Sequence, residues 1–152
     1  MHSRAANMTF YEALAALFAR AAERLSGGDT DGLTQRQIRE VTVFLRRMNA
    51  MWPELFSCLG QETSVLRAGL LELNSSIRRA GIAAPLSWSM ADQSDDPLVE
   101  YRRLLRVCDE AMTFLREHRR ESWADHALEQ LRNVLADAVR IQGRLVDLAL
   151  DA

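Results

Sequence analysis

The residues most able to do chemistry gather where two helical patterns meet. Glu117, His118, Glu121, Asp125 and His126 lie on either side of a short polar stretch near Arg120–Ser122. A helical hairpin turning there brings them to one end of a bundle. Two imidazoles with carboxylates are a ligand set for Zn²⁺ or another divalent ion, so His118, Glu121, Asp125 and His126 form a candidate metal corner. Arg116, Arg119 and Arg120 stand beside them. They would pair the acids and repel a cation. Glu62 is the second candidate. It falls between Leu59 and Leu66 in an apolar helical row, where an unpaired carboxyl would have a raised pKa and a paired one would fix a neighbouring helix. A ligand pocket, if the chain has one, would draw on Trp52, Glu62, Tyr101 and Cys108.

Other chemistries are excluded by what is missing. All 19 basic residues are Arg, which removes Schiff-base and phosphate-loop lysines. There is no Glu-x-x-His for a di-iron carboxylate bundle, and three histidines are too few for a hemerythrin-like centre. The formal net charge of -2, with Arg and acids interspersed, gives no basic footprint for nucleic acid. No nucleophile triad or Gly-rich phosphate loop is recognisable. No cofactor is therefore called for, and the reading leans away from an enzyme. Cys58 and Cys108 read as reduced, buried thiols of a cytoplasmic, bacterial protein.

Arg120 and His126 stand at an Arg-x5-His spacing similar to the motif of HEPN ribonucleases, which are also α-helical. The resemblance covers these two residues. It implies RNA cleavage at a pair that would straddle the turn between the last two helices.

The elements that must position these groups are helices. Pro and Gly are scarce, at 3 and 7 of 152 residues, and 48% of the chain is hydrophobic, which suits long helices around a single core. No apolar run approaches the ~20 residues of a membrane span. Thr9 with Glu12 and Thr34 with Gln37 are capping boxes for the first two helices. The first carries Phe10, Ala13, Leu14, Leu17, Phe18, Ala21 and Leu25 on one face. The second carries Ile38, Val41, Leu45, Met48 and Trp52. Pro53 is expected to break or sharply bend the chain there and to begin a new helix with Leu55, Leu59, Leu66, Leu70, Leu73 and Ile77. That helix ends at Arg78-Arg79-Ala80-Gly81.

Asp96-Pro97 opens the next helix, with Asp96 as N-cap and Pro97 at the first helical position. Its seam is Leu98, Tyr101, Leu105, Cys108, Met112 and Leu115. The last helix starts near Ser122, with Trp123, Ala127, Leu131, Val134, Ala138, Ile141, Leu145 and Leu148 on one face. A second row of Leu128, Leu135, Val139 and Val146 widens that face, as on a helix that contacts two neighbours. The expected architecture is an all-α, antiparallel four- to five-helix bundle. It forms one domain over 1–152, with 1–8 as a flexible N-terminus and one long connecting loop at about 81–96.

Within that loop, Leu86, Trp88 and Met90 read as a partner-docking arm, with Trp52 as a further contact. The expected function is a non-catalytic interaction module, adaptor or chaperone-like, that binds a partner protein or a second copy of itself. The alternative is a bundle that binds a small ligand or metal, with or without enzymatic activity.

Overall fold

A computed structural model describes residues 10–26, 35–85 and 93–151. These hold four helices and no strand: α1 (Phe10–Ser26), α2 (Gln35–Arg79), α3 (Pro97–Glu117) and α4 (Ser122–Asp151). The all-α expectation is met. The chain divides into a first unit up to Leu45 and a second from Arg46. No described helix is long and apolar enough to cross a membrane. The capping residues Thr9 and Thr34 and the docking-arm residues Leu86, Trp88 and Met90 lie outside the described residues.

In the first unit, the expected stripe of α1 is only partly matched. Leu14 is half-buried and Ala13 and Leu17 are exposed, while Tyr11, which the stripe left out, is buried. Of the row expected on the second helix, Ile38 and Leu45 are also exposed.

The expected break at Pro53 does not occur. α2 runs without interruption from Gln35 to Arg79, with Pro53 inside it. Proline removes one helical hydrogen bond and crowds the carbonyl four residues back, at a cost of about 3 kcal/mol. Pro53 and Asn49 are both exposed, so water can serve the carbonyl left without a donor. On the opposite side the apolar row continues through the site: Met51, Cys58 and Leu59 are buried, with Leu55 half-buried between them. Burial of this row, at about 1.5–3 kcal/mol for each large side chain, outweighs the local loss.

The helix ends follow the expected chemistry. Past α2, Gly81 takes φ +80, a conformation that costs a glycine little. Its N–H donates to the Arg78 carbonyl (3.0 Å), and that of Ile82 donates to the Ile77 carbonyl (3.2 Å). This is the double closure of a Schellman motif. At α3, Asp96 Oδ1 accepts from the N–H groups of Leu98 (2.9 Å) and Val99 (3.1 Å), with Pro97 beginning the helix.

The core of the second unit is a three-helix arrangement. Leu66, Leu70, Leu73 and Ile77 of α2 are buried, as are Leu104, Val107, Ala111 and Leu115 of α3 and Ala124, Ala127, Leu131, Ala138 and Leu145 of α4. Three cross-links fix the direction of α2 against α4: Gly69 against Val134, Glu62 to Gln142, and Gln61 to Arg144. As the α2 number falls the α4 number rises, so these helices are antiparallel. The short His118–Glu121 turn makes α3 and α4 antiparallel as well. α2 and α3 consequently run the same way, because three mutually packed rods cannot all be antiparallel. The end of α2 and the start of α3 therefore lie at opposite ends of the second unit.

Candidate functional site

Two polar clusters lie within this core. Glu62 is fully buried, as are Tyr101 and Glu100. Gln142 Nε2 donates to Glu62 Oε2 (2.9 Å) and to the Tyr101 hydroxyl oxygen (2.9 Å). Tyr101 in turn hydrogen-bonds Glu62. Burial, and then that bond to Glu62, push the phenol above its ordinary value. One residue from each helix thus closes a ring at a single level of the bundle. Such a ring favours one register of the helices, since a one-turn slip would leave buried polar groups unpaired.

The second cluster surrounds Glu100. Its carboxylate accepts from Arg103 Nε (2.9 Å) and Nη2 (2.7 Å), from Arg67 Nη2, and from the backbone N–H of Ser94 (3.2 Å). The Arg103 hydrogen bonds, assisted by the Ser94 N–H and by the charges of Arg103 and Arg67, hold it below the usual carboxylate range against the opposing effect of burial. Arg67 belongs to α2, so this buried ion pair ties α2 to the first turn of α3. A buried carboxylate accepting four hydrogen bonds from three residues is positioned to hold helices together rather than to react with a substrate.

The expected pocket of Trp52, Glu62, Tyr101 and Cys108 does not come together. Glu62 and Tyr101 are joined and sealed, while Trp52 is 52% exposed on the surface. The α2 row that fixes the core runs through Met51, one residue before Trp52, and this turns the indole outward. Cys58 and Cys108 are both free and buried. Burial raises both thiols, that of Cys108 to about 12.

At the expected metal corner the side chains make local contacts. Among the described residues no group of three or more His, Cys, Asp and Glu side chains forms a site able to hold a metal. The His118 ring stacks on Phe114 (4.4 Å between centroids), and its Nδ1 bonds the Phe114 carbonyl at 2.8 Å. Glu121 accepts from the indole N–H of Trp123. Asp125 and His126 lie exposed on α4. Local aromatic packing and backbone bonds have drawn His118 and Glu121 away from a shared centre. Arg120 lies in the turn and His126 on α4, both exposed, so the Arg-x5-His pair straddles the helix junction.

What the structure adds is apolar surface. On α4, Val139 is 62% exposed, Val146 44% and Leu150 68%. Val139 and Val146 belong to the second row of α4, which the sequence pattern assigned to a neighbouring helix, and Leu150 continues it by one turn. The row's first residues do meet the core, with Leu128 buried and Leu135 half-buried, but its later ones do not. On α2, Phe56 is 63% exposed and packs edge-on against Trp52, with ring centroids 6.0 Å apart. Extending the α2–α4 register places Trp52 and Phe56 near the last turn of α4. α3 begins only at Pro97 and does not reach that level. Phe56 carries no signal of its own in the sequence. Its exposure follows from the register of α2, which Met51, Cys58 and Leu59 set.

Compared with family models, curated proteins and solved structures, the chain matches none.

Proposed function

We propose that this chain is a non-catalytic helical interaction module, adaptor or chaperone-like, that presents apolar helix faces to a partner protein or to a second copy of itself. The observation that carries the reading is the exposed row of Val139, Val146 and Leu150 on a helix whose adjoining face is packed in the core. Single exposed apolar side chains are ordinary. A row along one helix face, together with an exposed aromatic pair at Trp52 and Phe56, is the surface by which helices dock. The titratable groups that could serve catalysis are supportive in a different way, since Glu62, Tyr101 and Glu100 are spent on one another and on Arg. Binding without nucleic acid and a cytoplasmic location belong to the same proposal, supported by the balanced charge and by two reduced thiols.

The test is co-purification from the native host with mass-spectrometric identification, comparing wild type with Val139→Glu, Trp52→Ala/Phe56→Ala and Trp88→Ala. Val139, Trp52 and Phe56 are exposed, so the helical circular-dichroism signal should stay constant in the first two variants, and the same signal is recorded for Trp88→Ala as a control. Loss of a specific partner in at least one variant supports the reading. A partner set, or a self-association, that is indifferent to all three overturns it.

A further inference from the structure

The α4 row has a symmetry of its own. At 100° per residue, Leu135, Val139, Val146 and Leu150 fall within a sector of about 60°. Leu135 and Leu150 are equidistant from a point between Gln142 and Gly143, and so are Val139 and Val146. Gly143 sits at that midpoint on the same side of the helix, and a Cβ built there meets nothing within 4 Å. Arg140 and Asp147 lie along one edge of the row, on opposite sides of that point though not equidistant from it.

Building on the interaction reading above, we infer that α4 pairs with α4 of a second copy, antiparallel, about a twofold axis passing beside Gly143. The axis sets Val139 against the second copy's Val146, Leu135 against its Leu150, and each glycine near the crossing, where a missing side chain lets the backbones approach. A twofold interface must be self-complementary, and the spacing of this row is. Charge agrees with geometry. In an antiparallel pair about a twofold axis, like edges face one another, so Arg140 of each copy lies within about one helical turn of the other's Asp147. In a parallel pair the two copies of this edge would lie on opposite sides of the interface, and Arg140 of one copy would not meet Asp147 of the other. Arg140 now bonds Asp137 on its own helix. Both of these side chains are mostly exposed, so that pair is easily exchanged. The paired length, Leu135 to Leu150, is about 22 Å, and one helix per copy makes a small interface. The association is therefore weak and reversible.

The test is sedimentation equilibrium of the full chain over about 10–500 µM, the range suited to a small interface. The variants are Val139→Glu, Arg140→Asp, Asp147→Arg and the double Arg140→Asp/Asp147→Arg. All of these side chains are exposed in the single chain, so each variant should fold as wild type does. The expected result is a reversible dimer that Val139→Glu weakens about a hundredfold or more by burying an unpaired charge. Each single charge reversal should weaken it several-fold, and the double reversal should restore it. A chain monomeric throughout this range, a dimer indifferent to Val139→Glu, or a double reversal that fails to restore association would each overturn the pairing. The wider reading fails separately: if the chain stays monomeric but Val139→Glu still strips a host partner, only the twofold pairing is lost.

Discussion

Gly69 offers a test of the α2–α4 interface in which the sign of the effect decides. A Cβ at this position would lie 2.6 Å from Val134 Cγ1 and closer still to its Cγ2. Carbon atoms in good contact sit about 3.5–4.0 Å apart, so Gly69→Ala brings its methyl far inside contact distance of Val134. Val134 is β-branched and on a helix, which leaves it one strongly favoured rotamer and little room to turn aside. The helices must separate instead, and overpacking of this kind costs about 1–3 kcal/mol. Against it stands the gain from replacing a mid-helix glycine by alanine, up to about 1 kcal/mol. The clash should win, and Gly69→Ala should lower stability. A Cβ added at Gly60, on the same helix, meets nothing within 4 Å, so Gly60→Ala should raise stability by up to about 1 kcal/mol. Urea denaturation followed by far-ultraviolet circular dichroism compares the two. Val134→Ala adds the cycle: with the methyls gone, Gly69→Ala should lose most of its penalty, a coupling well outside additive behaviour. If Gly69→Ala proves as stabilising as Gly60→Ala, the two helices do not approach at this point, and the register built on it fails.

Four further outcomes follow from the clusters. Tyr101→Phe removes a donor from buried Glu62 and should cost about 1–3 kcal/mol, most of it recovered in Glu62→Leu/Tyr101→Phe/Gln142→Leu, where no polar group is left unpaired; denaturant melts in which the triple variant is the least stable would contradict this. Glu100→Gln should cost about 1.5–3 kcal/mol near neutral pH. Because the folded carboxyl is held below its ordinary value, the stabilisation is complete above that value and is lost as pH falls through the lowered one; a wild-type advantage over Glu100→Gln that stays constant into strong acid would refute it. Cys58 and Cys108 should resist a thiol-reactive disulfide reagent at mildly alkaline pH and react promptly in denaturant, since burial raises both; fast labelling of the folded protein would count against their burial. Asn74 Oδ1 and Gln130 Oε1 are buried without a partner, so Asn74→Leu and Gln130→Leu should be neutral or stabilising in thermal melts, and a loss of several degrees in Tm would show that each has a donor after all.

Much of the second unit is legible in the chain because its signals are local. The apolar period of α4, the Asp96-Pro97 start and the Gly81 stop each depend on residues within a turn or two. On α3, by contrast, Tyr101, Cys108 and Leu115 of the expected seam are buried but Leu104, Val107 and Ala111 take the places expected for Leu98, Leu105 and Met112. At Pro53 the same locality misleads: a proline penalty is visible in sequence, while the buried row of Met51, Cys58 and Leu59 that carries α2 through it is a property of packing. The buried polar clusters follow the same division. Glu62 stands out as a carboxyl in an apolar row, but its partners Tyr101 and Gln142 come from 39 and 80 residues away, and Arg67 reaches Glu100 across 33.

The sequence alone therefore determined that the chain is helical, where α2 stops, where α3 begins and which stripe of α4 is apolar, since hydrogen bonding and periodicity act within a few residues. Tertiary structure decided which stripes find cover. Leu131, Ala138 and Leu145 are enclosed because three helices meet along their face, whereas Val139, Val146 and Leu150 belong to an equally apolar row that stays exposed on its own chain. Hydrophobicity marks both sets alike; only the number and placement of neighbouring helices separates core from exposed face.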